Sequence, residues 1–166
     1  MHNPYQELTK GEMLAQCPNQ SLLEKLAPLS VSCARPMAGR WQKAPGGACG
    51  YCYPCLVRRA ALHRLGWDRG QDSRVDVLAD LEVLRHRVKG RHLRALCLAL
   101  KTWEENPQEI LARLRWNGSA GRKGLSQQVA TTRRLLDEGF REVGQWLEKQ
   151  GAVGIKEYLG ERGKAE

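Results

Sequence analysis

The chain has 166 residues, 42% of them hydrophobic and 27% charged, with a formal net charge of +9. That is enough for one ordinary domain burying roughly two-thirds of its unfolded surface, and no apolar run approaches the ~20 residues of a membrane span. The opening MHNPYQELTKGEML has no charged head followed by an apolar stretch, so it does not read as a secretory signal, and the expected compartment is the cytoplasm.

Helix signals dominate. Thr9 followed by Glu12, and Ser21 followed by Glu24, fit the capping box, in which a hydroxyl and a carboxylate satisfy orphan amides at a helix start. They predict short helices over about 10–17 and 21–27. Pro28 closes the second, and LSVSC at 29–33 predicts a short strand or extended segment leading to Cys33. Residues 34–48, with two prolines and three glycines, predict a loop. Structureless connections of that length are usually functional or tied down, and a metal at both ends would tie this one.

Pro54 suits the first turn of a helix whose apolar face is Leu56, Ala60, Leu62 and Leu65, ending at Gly66. Val75, Leu78, Leu81 and Val88, then Leu93, Leu96 and Leu100, predict two more helices around a break at Lys89-Gly90. Asn106-Pro107 with Glu109 opens a helix to about Trp116, and the polar WNGSAGRKG at 116–124 is a loop. Leu125 to Lys149 is a long amphipathic helix with Gly151 just past it, and residues 161–166 form a frayed tail. The expected fold class is mainly α, a helical domain carrying a loop-rich cysteine motif.

Four of the six cysteines, Cys33, Cys49, Cys52 and Cys55, form the pattern C-x15-C-x2-C-x2-C. In a reducing compartment such a cluster reads as a metal site before a disulfide framework. Four thiolates suit a tetrahedral zinc ion at about 2.3 Å per bond. An iron–sulfur cluster and a metal-free redox site are the alternatives. Two residues between ligands let a tight turn aim successive sulfurs at one point, and Gly50 relieves that turn. With every ligand position filled by protein, no open position remains for an activated water, so the site holds structure. Zinc with four thiolates carries a formal −2, and Arg58 and Arg59, one helical turn past Cys55, are candidates to offset it. Cys17 and Cys97 read as small buried hydrophobes, and His63, His86 and His92 as surface or helix-end residues.

Formal charge is −1 over residues 1–32, +3 over 33–57, +6 over 58–101 and +1 over 102–166. An excess concentrated behind the cysteines points to an acidic partner. One function is therefore a zinc-stapled basic module that sets Arg58, Arg59, Arg64 and the stretch 85–94 on nucleic-acid phosphates. Against it, aromatics are not interleaved with that stretch, and the spacing lacks the paired histidines of a ββα finger.

SVSCARP, a loop, and then CGYCYPCLVRRAALHRLG resembles the zinc-binding C-terminal region of 7-cyano-7-deazaguanine synthases, above all the synthase-like proteins of Qat-type anti-phage defence systems. NPYQELTKGEML is similar to the family's Thr/Ser-Lys segment, which precedes the first zinc ligand. The resemblance covers residues 3–67. It divides the chain into a synthase-like segment at 1–67 with the zinc site, a helical extension at 68–160 and the tail. What it implies is a cytoplasmic, ATP-consuming ligase of the PP-loop class. Such an enzyme adenylates the carboxylate of 7-carboxy-7-deazaguanine and lets a nitrogen nucleophile attack, giving the amide and then the nitrile. In the defence relatives it implies attachment of the deazaguanine to a partner protein's terminus. The resemblance also makes Cys33, Cys49, Cys52 and Cys55 the zinc ligands and places Lys10 near the nucleotide and substrate cleft.

The family's Ser-Gly-Gly-x-Asp-Ser loop is missing from these residues. Gly46-Gly47 lies between zinc ligands in APGGACG without the serines or the aspartate, and there is no Walker loop. Nor is there a run of β-branched strands from which to build the parallel sheet that site requires. The expectation is a zinc-bearing fragment or split half, inactive alone. ATP would enter only with a partner that carries the PP-loop half, or with another defence-system protein.

Overall fold

The computed structural model describes residues 3–35, 47–79, 81–116, 125–149 and Ile155. Its helices are α1 (Lys10–Ala15), α2 (Gln20–Leu26), α3 (Tyr53–Arg64), α4 (Leu81–Arg85), α5 (Arg91–Glu105), α6 (Pro107–Trp116) and α7 (Leu125–Lys149). Tight 3-10 turns occupy Ala27–Leu29 and Gly70–Asp72. Among the described residues there is no β-strand, only a parallel bridge between Ala48 and Ser73. Most of the expected loop at 34–48, the loop at 117–124, Gly151 and the tail at 161–166 lie outside the described residues.

The first helix forms as its capping box predicts: the Glu12 amide donates to the Thr9 hydroxyl at 3.1 Å, and the Thr9 amide donates to the Glu12 carboxylate at 2.8 Å. It stops at Ala15 because the Gln20 side-chain amide takes the carbonyls of Leu14, Ala15 and Cys17, at 3.0, 3.1 and 2.9 Å. The expected Ser21 box does not form. Asn19 lies just outside the helix and accepts from the Leu22 amide at 3.0 Å, so α2 begins at Gln20 and the Ser21 hydroxyl turns back to Asn19. After the turn at Ala27–Leu29 the chain runs extended at Ser30 and reaches Cys33 without pairing in a sheet.

At the centre lies α3, against which α1, α5 and α7 all pack. Pro54 sits in its first turn, where a missing N–H costs nothing. Its end is a Schellman motif: the Trp67 amide donates to the Leu62 carbonyl, the Gly66 amide to the His63 carbonyl, and Gly66 takes the left-handed φ of +75° that the motif needs.

The structure departs from expectation most at residues 75–88. Only Leu81–Arg85 is helical there, whereas residues 73–79 form turns laid along α3. Asp76 is the reason. Its Oδ1 accepts from the Leu78 amide at 3.0 Å and from Arg59 at 2.6 Å, offering the backbone a turn in place of a helix.

The main core is built from Leu56 and Ala60 of α3, Val77, Leu84 of α4, Leu93 and Leu96 of α5, and Val143, Trp146 and Leu147 of α7. A division at 67/68 therefore runs through one shared core. Beyond it, Trp103 of α5 stacks on Phe140 of α7 at 5.4 Å. Polar staples join α1 to α7. Thr9 donates to Glu142 at 2.6 Å, and Arg134 donates to Glu12 at 2.8 Å and to the Glu7 carbonyl. No described helix is long and apolar enough to cross a membrane.

Candidate metal centre

The four cysteines of the motif come together from two arms of chain. Cys33 arrives on the extended segment after α2, and Cys49, Cys52 and Cys55 lie on the turn that becomes α3. Their sulfurs all lie within 4.8 Å of one another. The Cys49–Cys55 and Cys33–Cys52 separations are 3.9 Å, and Cys52–Cys55 is 3.4 Å. A tetrahedron with bonds of about 2.3 Å has sulfur–sulfur edges of about 3.8 Å. The set thus fits a tetrahedral metal ion such as zinc.

Backbone amides converge on the sulfurs as well. Those of Arg35 and Cys49 donate to Cys33 at 3.2 and 3.4 Å, and that of Ala34 donates to Cys52 at 3.4 Å. The amides of Tyr51 and Cys52 favour the thiolate form of Cys49, and that of Gly50 the thiolate form of Cys55. Partial positive charge from N–H groups is what a cluster of buried thiolates needs. The cluster is closed: Cys49 and Cys52 are 1% exposed and Cys55 2%. The hydrogen bond shared with Cys55 pulls the Cys49 pKa down to about 4, with the amides of Tyr51 and Cys52 adding to the effect. Cys55 is pushed up by the same bond and by burial, and Cys52 by burial. Gly50 makes the turn possible. Its φ is +86°, and a Cβ there would lie far inside contact distance of the Val75 carbonyl oxygen.

Arg59, expected to offset the thiolate charge, faces other partners. Its Nε and Nη2 donate to the Asp68 carboxylate at 3.0 to 3.3 Å, and its Nη1 donates to Asp76 at 2.6 Å. The Trp146 ring lies 5.1 Å from the guanidinium carbon, and the indole N–H donates to Asp68 at 3.0 Å. Two carboxylates at hydrogen-bond distance outcompete a cluster further along the helix. Arg58 goes outward, donating to the Ser30 hydroxyl at 2.9 Å and to the Ala27 carbonyl. Arg64 donates to Glu142 at 2.9 Å and to Glu138, so it is also bound internally. Lys10 donates to the Ser32 hydroxyl at 3.4 Å and borders a cavity of about 240 Å³ shared with Tyr53, Val57, Phe140 and Glu142.

The His92 pKa is lowered by burial and by the charges of Arg91 and Arg35. Of the other two cysteines, Cys97 is buried in the core with its pKa pushed up to about 11 by burial. Cys17 is only half-buried and donates to the Asn19 carbonyl at 3.8 Å. No family model, curated protein or solved structure matches this chain.

Proposed function

We propose that the chain is the zinc-bearing, non-catalytic part of a 7-cyano-7-deazaguanine synthase-like assembly, in which a partner protein brings the PP-loop and its ATP. The observation that carries this reading is the convergence of the four sulfurs of Cys33, Cys49, Cys52 and Cys55 within 4.8 Å, in the arrangement the family resemblance calls for. Zinc suits a closed set of four sulfurs met by amides, since a structural zinc ion needs no open position and no redox change.

Two surfaces support the assembly. Leu22, Leu26, Leu29 and Val31 are 50, 49, 78 and 52% exposed, on the stretch from α2 toward the first ligand. Apolar side chains gathered on one short segment are the signature of an interface, and the PP-loop half is the occupant proposed for it. The cavity at Lys10 has aromatic and aliphatic walls, from Tyr53, Phe140 and Val57, with an ammonium and a carboxylate at its edge. That is a suitable slot for a flat nitrogen heterocycle such as deazaguanine.

The test is co-purification of the tagged chain, its zinc content measured, with the proteins encoded beside it. One zinc per chain is expected, with a retained partner that carries the Ser-Gly-Gly-x-Asp-Ser loop. ATP turnover on 7-carboxy-7-deazaguanine should appear only in the complex and be lost with Leu29→Asp. A zinc-loaded, folded chain that retains no such partner overturns the reading.

A further inference from the structure

Residues 85–94 hold five lysines and arginines, two histidines and no acid. The fold sorts them by role. Arg94 turns inward from the first turn of α5 and donates to the carbonyls of Leu84, His86 and Arg87, closing the end of α4. The His86 ring accepts from the amides of Val88 and Lys89 at 3.1 and 3.2 Å, so the tip at 86–90 is a built turn. Arg85 pairs with Glu82. Three cations remain. Among the described residues no carboxylate pairs with Arg87, Lys89 or Arg91, and both arginines are exposed. Meanwhile Arg58, Arg59 and Arg64, which sequence reasoning set on phosphates, are committed to internal partners.

We propose that the ridge formed by Arg87, Lys89 and Arg91 binds the phosphate backbone of double-stranded nucleic acid without reading its sequence. A ridge of cations is all that phosphate contacts require. An acidic protein would ask for more, because protein interfaces rest on apolar and aromatic anchors and are poor in lysine. Val88, 46% exposed, is the one apolar residue between Arg85 and His92. The ridge has no Phe, Tyr or Trp, the side chains on which single-strand binders chiefly stack bases. This inference concerns the isolated chain and does not depend on the synthase-like reading.

The experiment is fluorescence anisotropy of a labelled DNA duplex of arbitrary sequence, titrated with the metal-loaded full chain at several salt concentrations. Three phosphate contacts predict a slope of log K against log salt of about −2.7, hence roughly 40-fold weaker binding between 50 and 200 mM salt. Arg87→Ala/Lys89→Ala/Arg91→Ala, checked for an unchanged circular dichroism spectrum, should flatten the slope by about 2.7. Arg113→Ala, an exposed α6 cation paired to Glu109, should change neither slope nor affinity. No duplex binding at the lowest salt, or a triple-variant slope equal to the parent's, overturns the proposal. Equal affinity for a polyglutamate peptide also overturns it, and would make the ridge a docking site for an acidic protein.

Discussion

Asp68→Ala is the sharpest probe of what holds the centre of this fold. The Asp68 side chain is 2% exposed and that of Arg59 5%, so neither group has water to fall back on. The substitution removes the hydrogen bonds that join Asp68 to Arg59 and also strips the Trp146 indole N–H of its acceptor. Breaking one side of a buried ion pair costs about 3–5 kcal/mol, and an orphaned buried donor about 1–3 kcal/mol. Arg59 keeps Asp76, which moderates the first figure. A loss of about 3–5 kcal/mol is expected, a large share of the ~5–15 kcal/mol that holds a domain together. For a chain this long each kcal/mol moves the midpoint about 2–4 °C, so Tm should fall by roughly 6–20 °C. Urea and thermal unfolding of metal-loaded protein measure it. Trp146→Phe completes a double-mutant cycle whose coupling should lie at about 0.5–3 kcal/mol. A loss under about 1 kcal/mol for Asp68→Ala would refute the reasoning, because a buried guanidinium cannot lose a carboxylate at so small a cost.

Cys52→Ser should abolish stoichiometric zinc and speed amide exchange over residues 47–56 while α5 and α7 keep their protection, since the cysteines form a separate buried group that meets the main core at Tyr51. Unchanged zinc content and proteolytic resistance would defeat the metal assignment. Gly50→Ala sets a methyl against the Val75 carbonyl at a left-handed φ, so metal affinity measured by chelator competition should drop at least tenfold; parent-like affinity would show that the turn is not what aims the sulfurs. Hydrogen bonds from Arg141, and behind them Arg64, hold the Glu138 carboxyl below the usual carboxylate range. Its contribution is therefore present above the unfolded pKa of about 4.3 and lost as pH falls through the lower folded value. The stability gap between parent and Glu138→Gln should narrow as pH drops from about 5 to about 3, and a gap that widens would reverse the sign of the linkage.

Local chemistry made much of this legible. Thr9 with Glu12, Pro54, Gly66 and the span from Leu125 to Lys149 all rest on interactions within a few residues, and each element lies where the pattern puts it. The cysteine cluster was legible for a different reason, because spacing and ligand type constrain one another. What the pattern missed was competition. Asn19 displaced Ser21 as a cap, and Asp76 turned a stretch of helical periodicity into turns. Arg58, Arg59 and Arg64 look alike in the sequence. Their fates were decided by Ser30, by Asp68 and Asp76, and by Glu138 and Glu142, which tertiary folding alone brings near.

Those two consecutive arginines after the last ligand support the metal centre through shape. Arg58 leans outward and ties α3 to Ala27 and Ser30, the turn from which the chain runs on to Cys33. Arg59 leans inward and ties the same helix to Asp68 and Asp76. The segment between those aspartates carries Ser73, which bridges to Ala48, and Arg74, whose amide donates to the Ala48 carbonyl at 3.1 Å. Ala48 is the residue before Cys49. Each arm of the four-sulfur set is thus braced from α3 by one arginine, and the helix that begins at the ligands also fixes where they converge. An arginine chosen to neutralise thiolates could be replaced by lysine with modest loss. One that holds two carboxylates in a fork could not, because the geometry it enforces, more than the charge it carries, keeps the sulfurs together.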